Sequence, residues 1–373
     1  MTRAADRNGA DGEVFAVITG GGTGGHVYPA LALADALVAR GHRRETIRFV
    51  GARRGLEARV VPEARYAIDL LPGRGLQRRL TVANVRAGWD TLTAFTRARR
   101  IVRGSRPAVV VGVGGYASLP TLVAARLQRV PAVVHEQNAA PGLANRVAVR
   151  MGARAAVSLP GTPLRGAVLT GNPVREEVAA VRRDPDPARP LVTVFGGSLG
   201  AGRLNDAALG LYDRWRNRTD VAVHHVTGPR NYEESSARLA AARRPSDKLQ
   251  YELVGYEDHM ERLYARTTLA VCRAGAVTVA ELAAAGVPAV LVPLPGAPGD
   301  HQARNADALV DAGAAVVVPD DDCDAGRLDV ELRTLLADPA RIEAMSTNAR
   351  TLGRPDAAAR LADLVEEVAR DGR

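Results

Sequence analysis

Gly20-Gly21-Gly22-Thr23-Gly24-Gly25-His26 is the segment of this sequence best suited to chemistry. An apolar run leads into it and a helix pattern follows, with Pro29 in the first turn. Glycines let the chain turn sharply and leave no Cβ to block a ligand approaching the amides and the helix N-terminus. Formally the loop contains G-x-G-x-x-G at Gly20, Gly22 and Gly25, the fingerprint of a dinucleotide site. After the second strand such a fold wants an acid for the ribose, whereas this sequence reads Val50-Gly51-Ala52-Arg53-Arg54. Two arginines suit the extra phosphate of NADP, so a dehydrogenase is weakened but stays open.

The same strand–glycine–helix pattern returns at Gly196-Gly197-Ser198-Leu199-Gly200-Ala201. Two such units in one chain are unusual for a dehydrogenase. They suit a ligand faced by two domains, with Ser198 and helix-terminal amides available to a diphosphate. A third unit runs Arg273-Ala274-Gly275-Ala276-Val277-Thr278-Val279-Ala280-Glu281. Glu281 lies about one turn beyond Val277, where it can accept sugar hydroxyls or simply complement the helix dipole. His135-Glu136-Gln137-Asn138 and Gly112-Val113-Gly114-Gly115-Tyr116 also follow strands, as does Gly171-Asn172-Pro173-Val174-Arg175. Arg175 there offers a planar fork to a phosphate.

These loops need a scaffold, and the hydrophobic pattern supplies one. Val14–Thr19, Ile47–Val50, Ala108–Val113 and Ala132–His135 read as strands, with helices over Val27–Arg40, 117–129 and 142–151. The proline- and charge-rich segment 182–190 reads as a linker. A second series follows, with strands at Leu191–Phe195, Val221–Val226, Tyr251–Val254, Leu269–Cys272 and Ala289–Val292, and a last helix over about 356–370. Near-continuous apolar strands alternating with helices predict an α/β protein of two Rossmann-like, doubly wound parallel-sheet domains. The boundaries expected are 1–181 and 182–354, with the C-terminal helix, about 355–373, packing back on the first domain.

The 373 residues suit two domains, and 46% apolar with 24% charged content excludes a disordered chain. Lys248 is the only lysine, so the net charge of +9 is arginine charge. Cys272 and Cys323 stand far apart, without metal-ligand spacing, and read as free thiols. Residues 1–13 lack an apolar signal core, and the uncharged stretch from Leu282 to Gly299 carries four prolines, so no membrane-spanning helix is expected. The acidic run Asp320-Asp321-Asp322 reads as a solvated loop.

In order along the chain stand GGTGGHVYPALALADAL, GVGGYASLPTLVAARL, PAVVHEQNAAPGLANR, GNPVR, GGSLGA and CRAGAVTVAELAAAGVPAVLVP. This series resembles the GT-B glycosyltransferase family of peptidoglycan synthesis, the MurG family, over essentially residues 13–370. The resemblance implies a GT-B architecture whose two domains face a cleft. It implies inverting transfer of N-acetylglucosamine from UDP-N-acetylglucosamine to undecaprenyl-diphosphate-linked muramyl-pentapeptide, giving a β-1,4 linkage. Donor-binding residues carried over by motif are Thr23, Gly24, Gly25, Asn138, Arg175, Ser198, the run Ala276, Val277, Thr278, Val279, Ala280 and Glu281, and Gln302 in the DHQ segment. His26 matches the family's acceptor-side histidine, as base or as orienter of the acceptor diphosphate. Arg175, Ser198 and helix N-termini can stabilise the leaving UDP, so no cofactor or obligatory metal is expected.

The stretch 73–106 is rich in arginine, with Leu76, Leu80, Val85, Trp89 and Phe95 interleaved. Such a segment either packs as an ordinary amphipathic helix or lies on anionic lipid. The family's membrane patch falls here, so the protein is expected at the cytoplasmic face of the cell membrane, bound peripherally, with no nucleic-acid partner. Two positions depart from the family pattern: Leu199 stands where glutamine is usual, and Glu257 where an apolar residue is usual. They keep open a paralogue that serves another lipid-linked or secondary-metabolite acceptor. A UDP-N-acetylglucosamine 2-epimerase shares the architecture but would need cleft acids and no membrane patch. A basic nucleic-acid-binding protein leaves the glycine loops unexplained.

Overall fold

The computed structural model describes residues 13–72, 83–197, 200–296 and 298–372, with the side chains of 83–91 and Pro298 excepted. The first series of elements is β1 (Ala16–Thr19), α1 (Gly24–Ala39), β2 (Ile47–Ala52), α2 (Glu57–Glu63), β3 (Ala67–Leu71), α3 (Ala83–Ser105), β4 (Val109–Gly112), α4 (Ser118–Leu127), β5 (Ala132–Glu136), α5 (Leu143–Arg150), β6 (Arg154–Val157) and β7 (Val168–Leu169). Their strands form one sheet in the order β3-β2-β1-β4-β5-β6-β7. β1 is central and parallel to both neighbours, with Ala16 opposite Ile47 on one side and Val109 on the other.

After α6 (Glu176–Ala179), the second series runs β8 (Leu191–Phe195), α7 (Gly202–Trp215), β9 (Ala222–Val226), α8 (Tyr232–Ala242), β10 (Gln250–Val254), α9 (Met260–Arg266), β11 (Leu269–Cys272), α10 (Ala276–Ala285), β12 (Ala289–Leu291), α11 (His301–Asp311) and β13 (Ala315–Val317). Helices α12 (Ala325–Leu336), α13 (Pro339–Leu352) and α14 (Ala357–Asp371) complete it. The six strands lie in the order β10-β9-β8-β11-β12-β13, again parallel. Both sheets reverse direction next to their first strand, β1 or β8, which is the doubly wound order with its switch point beside the first glycine loop. The two Rossmann-like halves expected from the sequence are present.

By proximity of Cα atoms the chain divides into two compact units. The first takes residues through His135, Leu143–Ala155 and the chain from Ala362; the second takes Glu136–Gly142 and Ala156–Leu361. In the first unit, α14 is tied to α1 by Arg40, which pairs with Asp363 at 2.6 Å and Glu366 at 3.2 Å. The second unit buries Trp215, Tyr212, Leu204 and Leu211 of α7 against β8, β9 and α12. Trp215 keeps its indole N–H satisfied by donating to Asp329 Oδ1 at 2.5 Å. Gly286 closes α10 in the left-handed conformation, φ 70°, which costs a residue without Cβ little.

Two stretches read as solvated loop or linker are more engaged than their composition suggests. Asp320 stands in a 3-10 turn, its side chain 11% exposed, and meets Arg273 at 2.6 Å and Arg203 at 3.1 Å. Only Asp321 and Asp322 are exposed as expected. In the 182–190 segment, Arg183 donates to Gly286 O, Ser346 Oγ, Thr267 O and Thr268 O. Proline and charge density report the backbone's habits and miss a long side chain that turns inward.

Candidate active site

In the first unit, β1 delivers the glycine loop to its own C-terminal end. Gly20, Gly21 and Gly22 take φ values of 155°, 139° and 98°, the last two clearly in the region open to glycine. Their amides are spent on the protein itself. Gly20 N donates to Val50 O at 3.1 Å, Gly21 N to Gly114 O at 3.2 Å, and Gly22 N to Glu57 Oε2 at 2.7 Å. A dinucleotide's pyrophosphate needs such amides, so the formal G-x-G-x-x-G does not act as that fingerprint here. The helix amides that follow, at Thr23, Gly24 and Gly25, are those a first turn leaves without helical acceptors.

Thr23 is the N-cap of α1 and is exposed; Gly24 is buried, with the Tyr28 ring against it. A Cβ at 24 would come within 3.1 Å of that ring, so a larger residue there would have to push it aside by a few tenths of an ångström. His26 is half-buried, and its Nδ1 lies 3.4 Å from Thr23 Oγ1. The base of the loop is a buried hydroxyl network. Ser118 donates to Thr19 O or Gly114 O, each at 2.9 Å, and Thr19 Oγ1 lies 3.0 Å from Ala117 O. Gly115, at φ 86°, lets the 112–116 turn approach so closely that a Cβ there would stand 2.2 Å from Gly21 O.

The second unit brings together most of the other motif residues. Gly275 caps α10, so Ala276–Glu281 form its first six residues, with Val279 and Glu281 buried. The Glu281 carboxylate does not stand open. Tyr264 donates to its Oε2 at 3.0 Å, and Arg175, N-cap of α6, reaches its Oε1 at 3.5 Å. Burial pushes the Glu281 carboxyl pKa up, while Arg175 and the Tyr264 hydroxyl pull it down. Asn172, 4% exposed, has neither side-chain polar atom in a hydrogen bond among the described residues. Buried amides are rarely left so.

Glu136 closes the loop that follows β5. Its Oε1 accepts from Asn138 N and Nδ2 at 3.0 and 3.3 Å, and its Oε2 from Gly142 N at 2.8 Å. Asn305, fully buried on α11, then fixes the same loop. It accepts from Ala139 N at 2.9 Å and donates to Asn138 Oδ1 and Ala274 O, both at 3.2 Å. Gln302, one turn earlier on α11, accepts from Leu294 N at 2.9 Å and so holds the segment after β12. Ser198 lies outside the described residues, as does Leu199. Glu257 turns toward His224, with 3.5 Å from Oε2 to Nε2, and accepts from His259 N at 2.8 Å. Among the described residues no three His, Cys, Asp or Glu side chains converge as a metal set.

Residues 16–157 match the glycosyltransferase family 28 N-terminal domain, and residues 191–361 match the C-terminal domain of the same family. The chain belongs to glycosyltransferase family 28.

A relative from Alkalilimnicola ehrlichii is 44% identical, covering 95% of this family-28 chain and 99% of its own. It is named UDP-N-acetylglucosamine–N-acetylmuramyl-(pentapeptide) pyrophosphoryl-undecaprenol N-acetylglucosamine transferase. One of the same name from Frankia casuarinae is 41% identical, with 95% of each chain covered. The crystal structure of Acinetobacter baumannii MurG superposes with a TM-score of 0.76 at 30% identity, covering 95% of this chain and 99% of that one. A putative UDP-N-acetylglucosamine 2-epimerase from Listeria monocytogenes gives 0.67 at 16% identity over 96% and 97% of the two chains, a likeness of fold alone.

The motifs of this family-28 chain mark the loops but not the side chains that hold them. Glu57, Tyr264 and Asn305 carry no motif of their own. Only the glycines at 51 and 55, on either side of the 52–54 turn, signal that some side chain needs their Cβ space.

Proposed function

We propose that this family-28 enzyme transfers N-acetylglucosamine from UDP-N-acetylglucosamine to undecaprenyl-diphosphate-linked muramyl-pentapeptide, with inversion at the anomeric carbon. The observation that carries the reading is the Arg175–Glu281–Tyr264 cluster at the start of α10, in a chain 44% identical over nearly its whole length to a transferase so named. In this reading Glu281 meets donor hydroxyls from a carboxylate already oriented by two partners. Arg175 and the first-turn amides of α10 meet the negative charge that develops on the leaving UDP. Asn138, Gln302 and Ser198 complete the donor set, and Thr23, Gly24 and Gly25 present the first turn of α1. His26 meets the acceptor. With Nδ1 beside the Thr23 hydroxyl, Nε2 is the nitrogen assigned to the attacking hydroxyl's proton.

In this reading the acceptor's lipid brings the enzyme to a membrane surface. No described helix is long and apolar enough to cross one. Most of the stretch 73–106 expected to lie on lipid falls outside the described side chains. What supports the reading is its described part together with neighbouring elements. Leu92 of α3, Leu127 of α4 and Leu143 of α5 are 53%, 62% and 72% exposed. α3 packs on α4 and α4 on α5. Arg99, Arg100 and Arg103 on α3, Arg126 on α4 and Arg150 on α5 stand on the same three helices, so apolar and cationic groups share them.

The test is transfer of labelled sugar from UDP-N-acetylglucosamine to a short-chain lipid-linked muramyl-pentapeptide, with His26→Ala and Glu281→Ala beside wild type. Turnover that collapses in both variants supports donor and acceptor assignments together. A folded wild type that binds the UDP-sugar but transfers nothing to this acceptor overturns the acceptor assignment.

A further inference from the structure

Glu57 is a buried carboxylate that no step of the proposed transfer uses. It is 2% exposed and opens α2, in a part of the first unit without any motif residue. Its two oxygens divide their work. Oε2 accepts from Gly22 N at 2.7 Å, and Oε1 from Ala52 N at 2.8 Å. One side chain thereby ties the glycine loop after β1 to the end of β2.

The space around the carboxylate is made by three glycines. A Cβ on Gly21 would lie 2.1 Å from its Cδ, one on Gly51 2.4 Å from its Cγ, and one on Gly55 2.1 Å from its Oε2. Gly21 also needs its positive φ, but Gly51 and Gly55 do not have one. Backbone conformation therefore gives no reason for glycine at 51 and 55, and the volume of the Glu57 head does. On the opposite side, Gly21 N is held by Gly114 O at 3.2 Å. The loop is clamped from two sides, and it continues into exposed Thr23, buried Gly24 and half-buried Gly25 and His26.

We propose that Glu57 is a positioning residue for the glycine loop after β1: its carboxylate locks the Gly22 peptide and so fixes Thr23 and His26. The proposal rests on the transferase reading for its kinetic consequence, but not for its structural one. An ionised carboxylate is acceptor-only and makes strong bonds to amides. Glutamine has the same shape with only one oxygen, so in Glu57→Gln one of the two N–H groups faces an NH₂ donor. The loop then loses one of its two anchors while the cup stays filled.

The experiment compares wild type, Glu57→Gln, Glu57→Ala, Gly55→Ala and Gly55→Ala/Glu57→Ala by amide hydrogen exchange over residues 17–28, by transfer kinetics and by affinity for UDP alone. In Gly55→Ala the new methyl takes the carboxylate's place, and the double variant Gly55→Ala/Glu57→Ala is expected to be no worse than Glu57→Ala. In Glu57→Gln the loop's exchange is expected to accelerate. Its kcat/KM for the acceptor falls on the order of 10²-fold, as for a displaced reacting group. UDP affinity falls less than turnover does, because of the donor set only Thr23, Gly24 and Gly25 lie in this loop and the other residues belong to the second unit. Loop protection equal to wild type, or acceptor kcat/KM equal to wild type, overturns the proposal. So does a loss of UDP affinity as large as the loss of turnover, which would make Glu57 a residue of general stability. If wild type transfers no sugar, it is the transferase reading that fails, and the exchange arm alone still decides whether Glu57 holds the loop.

Discussion

Tyr264 and Glu281 share one hydrogen: the fully buried phenol donates to Glu281 Oε2 at 3.0 Å, from α9 to α10. The bond faces a carboxylate that burial alone would drive toward its neutral form. Tyr264 and Arg175 pull the other way, but burial is the larger influence and the carboxyl pKa lies above its ordinary value.

Tyr264→Phe removes the hydroxyl and leaves the ring packed against Phe195. The loss of a buried bond to a charged group costs about 1.5–3 kcal/mol. KM for UDP-N-acetylglucosamine is expected to rise roughly tenfold or more, with acceptor KM unchanged. Initial-rate kinetics with each substrate varied in turn check this, and an unaltered donor KM would remove Tyr264 from the donor site.

Arg183 makes its bonds to four acceptors on three separate segments of the second unit. Burial lowers its pKa to about 10, still well above neutrality, so it remains charged. Lysine carries the charge but not the planar fork. Arg183→Lys is expected to cost about 2–4 kcal/mol, read as a lowered urea midpoint at unchanged slope.

His225 is fully buried between Tyr251 and Asn205, at 2.8 and 3.0 Å. Asn205 Nδ2 donates to Thr227 O, so Asn205 Oδ1 accepts from His225 Nε2 and the Tyr251 hydroxyl donates to Nδ1. Burial, with His224 adding to it, lowers the pKa from 6.5 to about 4. Between pH 6.5 and 4 the unfolded chain binds a proton that the folded one does not, so stability falls as pH falls through that window. The full loss below it is about 3 kcal/mol. His225→Gln should flatten this part of the stability–pH curve; an unchanged slope would assign it to other groups.

Leu127→Glu/Leu143→Glu places charges on two exposed apolar sites without touching the core. Binding to vesicles containing anionic lipid is expected to fall about tenfold or more. Transfer to a short-chain, soluble acceptor should stay at the wild-type rate. Equal loss of both activities would mean that α4 and α5 serve the fold rather than a lipid surface.

The strands β8 and β11 have the same limits in the sequence pattern as in the structure, because each is a buried apolar run bounded by loop residues. β3, β6 and β13 do not announce themselves. β3 is AIDLL with only Leu71 buried, and β13 has three residues, so neither gives a period to read. The glycine loops were legible as loops that some ligand or neighbour must approach. Which neighbour was not, since the Gly21 and Gly22 amides are taken by groups some 35 residues or more away in sequence.

The sequence by itself determined the two doubly wound halves and the order of the loops, because alternating apolar runs, glycines and caps act over a few residues. Tertiary structure decided who holds those loops. Glu57, Asn305 and Tyr264 act across the fold, and their roles follow from burial, which leaves each polar atom only the partners that packing brings within reach.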